Sequence, residues 1–143
     1  MGLFRAHEVV GSVHEIDFAR LQGARKSALI FDLDETLCKR ATTHLGEELV
    51  QFLARLQSKG FKLGVLTNRR RNASDPIIHS LREFMPVVTA AGKPFHAGYR
   101  EMLGLLSARP EQAVMIGDRI VTDILGANLM DIHSIRVSKK KRK

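Results

Sequence analysis

Ala28-Leu29-Ile30-Phe31-Asp32-Leu33-Asp34-Glu35-Thr36-Leu37 is the stretch on which the reading of this chain turns. The apolar run Ala28 to Leu33, short and interrupted by acids, reads as a buried strand. Asp32 and Asp34 sit two apart where it ends, and the period-2 geometry of a strand points both carboxylates roughly the same way. Two close carboxylates repel. Without a partner cation, one of them has to stay protonated or carry a large energetic cost, so a bound divalent metal is a natural solution. Oxygen ligands of this kind suit Mg²⁺ better than a softer metal.

Working outward, four more apolar runs read as strands: Lys62 to Leu66, Val87 to Ala90, Ala113 to Ile116 and Ser134 to Val137. Leu45, Leu49, Phe52, Leu53 and Leu56 recur at helical spacing between the first two, and Gly60 closes that helix. Pro76 after Asp75 starts another helix, a third is expected from about Phe95 to Leu106, and a short one after Thr122. The order predicts an α/β fold, a doubly wound parallel sheet of about five strands with helices on both faces. Residues 1–27 carry a weaker signal, a short helix and an extended lead-in beside the sheet. Such sheets hold ligands at the carboxyl ends of their strands, which here are Asp32, Thr67, Lys93 and Asp118.

A chain of 143 residues has room for one domain, expected over residues 1–138. The net charge of +8 comes from 23 basic and 15 acidic residues, and Lys139 to Lys143 supply five of it, leaving about +3 for the rest. Residues 139–143 are therefore expected to be a basic tail. Cys38 is the only cysteine, which excludes an internal disulfide and any cysteine-rich zinc site. No signal-peptide core follows Met1, Ala6 stands where a myristoylation motif wants Ser or Thr, and no stretch reaches transmembrane length. A cytoplasmic protein is expected, with any membrane contact peripheral, at the inner surface through the tail. Nucleic acid would attract the same tail, but with no Trp and one Tyr the chain lacks a stacking surface for single strands.

Gly117-Asp118 closes the fourth run and Asp123 follows five residues on, adding acids at the same edge of the sheet. Lys93 supplies a fixed positive charge. Thr67 and Asn68 supply a hydroxyl, an amide and backbone N–H donors suited to phosphate. A carboxylate nucleophile, a metal and a cationic clamp describe phosphoryl transfer through an aspartyl-phosphate. Any one of these residues alone reads more simply as a cap, a turn or a surface lysine. Their coincidence at four strand ends does not.

The residues resemble the haloacid dehalogenase (HAD) superfamily of aspartate-nucleophile phosphatases, with four motifs in order. They are Phe31-Asp32-Leu33-Asp34-Glu35-Thr36-Leu37, Thr67-Asn68, Lys93-Pro94 and Gly117-Asp118-Arg119-Ile120-Val121-Thr122-Asp123. The resemblance implies a Rossmann-like sheet, Asp32 as nucleophile and Asp34 as general acid and base. It implies that Asp32, the backbone carbonyl of Asp34, and Asp118 hold Mg²⁺, with Asp123 a ligand or an anchor beside them, and that Thr67 and Lys93 hold the phosphoryl group. The first motif also resembles that of phosphatases acting on the polymerase C-terminal domain, whose second and fourth motifs differ from those here.

Larger relatives insert a cap domain after the first motif or between the second and third, and neither gap has room here, so no cap is expected. The last segment, Gly117 to Asn128 with His133 to Val137, is similar to the YqeG-like branch of subfamily IIIA, which includes phosphatidylglycerophosphate phosphatases. That similarity implies a phospholipid head group as substrate, and an open cleft with a basic tail suits it. The alternatives are a soluble nucleotide or sugar-phosphate phosphatase, or a catalytically silent anion-binding module. Arg69, Arg70 and Arg71 read either as a second anion site or as a solvated loop.

Overall fold

The structure, a computed structural model, describes residues 2–70 and 75–138. Arg71 and the tail Lys139 to Lys143 lie outside the described residues.

Six strands form one parallel sheet: β1 (Glu8–Val10), β2 (Ala28–Phe31), β3 (Lys62–Leu66), β4 (Val87–Val88), β5 (Ala113–Gly117) and β6 (His133–Val137), in the spatial order β1-β6-β5-β2-β3-β4. Five helices connect them: α1 (Phe18–Gly23), α2 (Glu47–Ser58), α3 (Pro76–Leu81), α4 (His96–Leu105) and α5 (Leu125–Leu129). Strands of an all-parallel sheet are covered on both faces, which is why β2 and β5 are buried at every position. Leu29 and Phe31 pack with Phe52, Leu53, Ile77 and Leu81 on the face of α2 and α3. Ala28 and Ile30 point the other way, onto Tyr99, Met102 and Ala127 of α4 and α5. The period-2 alternation of one strand thus feeds two separate cores.

Several boundaries follow local chemistry. Asp75 is the N-cap of α3 with Pro76 at its first turn, and α2 ends two residues before Gly60, whose φ of +100° favours glycine. Two expectations need revision. The lead-in does not merely lie beside the sheet: Glu8–Val10 pairs with Ile135–Val137 as a sixth strand. The third expected run is cut to Val87–Val88, because Ala90 takes a φ of +49° and turns the chain out of the ladder.

Up to β4 the chain winds outward from β2 in one direction. It then crosses back to place β5 on the other side of β2. The sheet's topological switch point therefore falls between β2 and β5, whose Phe31 and Ile116 are register partners. Open sheets of this kind bind ligands in the crevice beyond the carboxyl ends at that point.

Candidate active site

Asp32 leaves the end of β2 and its backbone N–H still donates to the Ile116 carbonyl at 2.8 Å, which fixes it at the switch point. Asp118 follows the last residue of β5 directly. Asp123 comes back to the same place through the π-helical turn Ile120–Ile124. Carboxylate oxygens of Asp32, Asp118 and Asp123 all lie within 4.8 Å of one another. Asp123 reaches this spot because Gly117 has no side chain: a Cβ there would overlap the Asp123 carboxylate.

Lys93 faces the triad. Its Nζ donates to Asp32 Oδ1 at 2.8 Å, Asp123 Oδ1 at 2.7 Å and the Leu66 carbonyl at 2.8 Å, so all three ammonium hydrogens are used. The side chain is 2% exposed. An ammonium so buried needs that full complement of partners. Asn68 grips the Lys93 backbone from both sides, donating to its carbonyl at 3.1 Å and accepting from its N–H at 2.8 Å. One amide hydrogen and the amide oxygen of Asn68 are thus engaged in holding the lysine. Thr67, buried, accepts the Arg69 N–H on its hydroxyl at 3.0 Å and keeps the hydroxyl hydrogen free to donate.

Burial, with Asp123 as the next cause, pushes the Asp32 carboxyl up to about 7 against the pull of Lys93. Burial and Asp123 likewise raise Asp118. Three carboxylates and one ammonium leave two negative charges uncompensated, which a divalent cation would cancel. A second observation points the same way: Asp118 Oδ1 is buried with no hydrogen-bond partner. An orphaned carboxylate oxygen beside two more carboxylates is a donor set that fits Mg²⁺.

Asp34 takes a different place from the one its spacing implied. It lines the same cavity as Asp32, but its carboxylate is not part of the triad and pairs with the Arg69 guanidinium. Arg69 also donates to Asp75 Oδ2 at 2.9 Å and to the Arg40 carbonyl at 3.3 Å. Glu35, at a φ of +64°, turns the chain back so that Asp34 bridges to Cys38. Asp32, Asp34, Thr67, Asn68 and Lys93 all line one open cavity of about 150 Å³. A roomier cavity of about 310 Å³, with His7, Lys26 and His133 in its wall, lies at the opposite ends of the strands and holds no such cluster of acids.

Two contributors escaped the sequence reading. Tyr99, fully buried, donates its hydroxyl to the Thr122 carbonyl at 2.9 Å and lies 3.2 Å from that of Asp123, pinning the π-helical turn. Its helical position marks it only as core. For Arg69 the sequence offers a solvated loop or a second anion site, and nothing in its spacing points to Asp34, 35 residues away.

A family model for haloacid dehalogenase-like hydrolases matches residues 40–131, well over half of the chain. The chain belongs to this family. The matched span contains Thr67, Lys93, Asp118 and Asp123 and begins downstream of Asp32 and Asp34. Among curated proteins, the chain is similar to "Probable phosphatase YqeG" of Bacillus subtilis, 25% identical over 134 residues that cover 94% of this chain and 77% of that protein. Among solved structures, an uncharacterized protein from Corynebacterium glutamicum superposes with a TM-score of 0.64 at 16% identity, covering 82% of this chain and 88% of that one. A HAD phosphatase from Thermococcus onnurineus gives 0.58 at 16% identity, with the same shares covered. Both are likenesses of fold. No described helix is long and apolar enough to cross a membrane.

Proposed function

We propose that this HAD-like hydrolase is a Mg²⁺-dependent phosphatase that cleaves a phosphate monoester through an aspartyl-phosphate on Asp32, with a phospholipid head group as its substrate. The observation that carries the phosphatase reading is the convergence of Asp32, Asp118 and Asp123 on one side with the buried Lys93 ammonium at the switch point of the sheet. A carboxylate is a weak nucleophile for an anionic phosphoryl group unless the negative charge around it is offset. Lys93 offsets part of it.

Asp32, Asp118, Asp123 as ligand or anchor, and the Asp34 carbonyl would hold the cation, which would neutralise charge on the phosphoryl oxygens. Thr67 and Lys93 would orient the phosphoryl group, Lys93 by giving it the ammonium hydrogen that Asp32 accepts in the free site. A carboxylate oxygen of Asp32 forms the new bond to phosphorus as the bond to the leaving oxygen breaks, and a proton from Asp34 goes to that oxygen. Water then attacks the aspartyl-phosphate, Asp34 takes its proton, and the Asp32–phosphorus bond breaks to release phosphate. Asn68, Tyr99 and Gly117 act at one remove, by placing Lys93 and Asp123.

The lipid assignment draws on the resemblance of Gly117 to Asn128 and His133 to Val137 to the branch that includes phosphatidylglycerophosphate phosphatases, and on an uncapped mouth, which can take a head group presented at a surface. The basic tail would add about 1 kcal/mol of attraction per residue near an anionic leaflet. In this reading residues 1–138 are the catalytic domain and residues 139–143 an electrostatic tether. Phosphate release from phosphatidylglycerophosphate in micelles, set beside soluble nucleotide and sugar phosphates, tests it. Turnover of the lipid that Mg²⁺ supports, chelation stops and Asp32→Asn abolishes is the expected result. Turnover of soluble esters alone overturns the lipid assignment, and an unchanged rate in Asp32→Asn overturns the mechanism.

A further inference from the structure

The cavity wall carries three guanidinium groups, Arg40, Arg69 and Arg119. Among the described residues, Arg40 and Arg119 form no salt bridge, whereas Arg69 forms two. Its partners are the Asp34 carboxylate and Asp75, all three side chains being 13–19% exposed. In the phosphatase reading Asp34 has to reach the leaving oxygen. The structure instead shows it held on a guanidinium that is already turned into the cavity.

We propose that Arg69 exchanges Asp34 for a second anionic group of the substrate, carried a few atoms from the scissile phosphate, and so selects doubly anionic esters while releasing Asp34 to act. The proposal rests on the phosphatase reading and adds the class of substrate. Three features support it. Arg69 lies two residues after Thr67 and its backbone N–H bonds the Thr67 hydroxyl, so its distance from the expected phosphoryl position is fixed by the chain. Its planar fork can keep Asp75 on Nη1 while Nη2 changes partner. Arg40 and Arg119, which form no salt bridge among the described residues, add positive charge to the same cavity wall, where Asp34 is the carboxylate on Nη2 of Arg69. An ester whose second substituent is neutral cannot compete for the guanidinium. It would leave Asp34 where the structure shows it.

The second anion can come from a carboxylate on a soluble ester or from a phosphodiester in a lipid head group, and the two sources are separable. Binding is measured on Asp32→Asn, which cannot turn over, by calorimetry with Mg²⁺ present. The probes are 3-phosphoglycerate, glycerol 3-phosphate and micellar phosphatidylglycerophosphate, each repeated with Arg69→Gln added. At least about tenfold tighter binding of a doubly anionic ester than of glycerol 3-phosphate, lost when Arg69 is replaced, supports the exchange, and the ester that shows it names the source. In otherwise wild-type protein, Arg69→Gln should lower kcat/KM for that ester at least about tenfold more than for glycerol 3-phosphate.

Equal binding of all three esters overturns the proposal. So does an equal loss on all three with Arg69→Gln, which would mark a purely structural residue. Failure of the phosphatase reading appears separately, as no phosphate release from any ester by the wild type.

Discussion

Replacing Lys93 with Met keeps an unbranched apolar side chain one atom shorter and removes the charge and its hydrogen bonds. Three charge-assisted hydrogen bonds are lost, two of them to carboxylates that are nearly as buried as the lysine. At about 1.5–3 kcal/mol each they would total more than any single substitution usually costs. The loss is limited because Asp32, already pushed up to about 7, can take a proton once its cation is gone. Removing one partner of a buried ion pair costs about 3–5 kcal/mol, and we expect that range at pH 7.5. For a chain of this size it corresponds to a fall in Tm of roughly 10 °C or more. Urea unfolding without divalent cations, at pH 7.5 and at pH 5, is the assay. The cost should shrink at pH 5, where Asp32 is protonated in both proteins and only Asp123 loses its partner. A loss below about 1 kcal/mol at pH 7.5 with an unchanged m value would refute the idea that Lys93 neutralises this site.

The metal-free protein should itself lose stability as pH rises. Asp32 binds its proton more tightly folded than unfolded, so the contribution is complete below about pH 4 and gone above about pH 7, at most about 4 kcal/mol across that window. Thermal melts from pH 4 to 8 check this: Asp32→Asn should flatten the decline, and saturating Mg²⁺ should offset it at the upper end. Gly117→Ala should displace the Asp123 carboxylate and weaken Mg²⁺ binding at least about tenfold, read by calorimetry, while circular dichroism shows the sheet retained. Tyr99→Phe removes the hydrogen bond to the π-helical turn and should cost about 1–2 kcal/mol in urea unfolding, with weaker Mg²⁺ binding as the accompanying sign that Asp123 has moved. Unchanged Mg²⁺ affinity in both variants would show that Asp123 is not placed by these residues.

The sequence was most legible where local chemistry decides the outcome. The apolar run Ala28 to Phe31, the stripe from Leu45 to Leu56, Pro76 after Asp75 and Gly60 past the end of α2 each act within a few residues, and the elements stand where they put them, except that α2 starts at Glu47 and leaves Leu45 ahead of it. Glu8–Val10 was not legible as a strand, since three residues carry no period and their pairing partners lie over 120 positions away. Asp32 and Asp118 could be placed together because both directly follow strand ends at the switch point, whereas Asp123 returns to them through the turn Ile120–Ile124. The partner of Asp34 could not be read. Spacing in β2 fixes the direction in which Asp34 leaves the sheet, whereas the turn at Glu35 and the reach of Arg69 from a different loop decide what it touches. Nor does spacing show that the Asn68 amide pairs with the Lys93 backbone 25 residues on.

The sheet's outer edge is completed by its first and last strands lying side by side, Glu8 opposite Ile135 and Val10 opposite Val137. During synthesis β1 therefore has no mate until β6, more than 120 residues later, has emerged, and the closure over that span is the longest-range pairing of the described sheet. The nascent chain must travel with an unprotected β6 site and an idle β1, a window in which a second nascent copy could trade edges with the first.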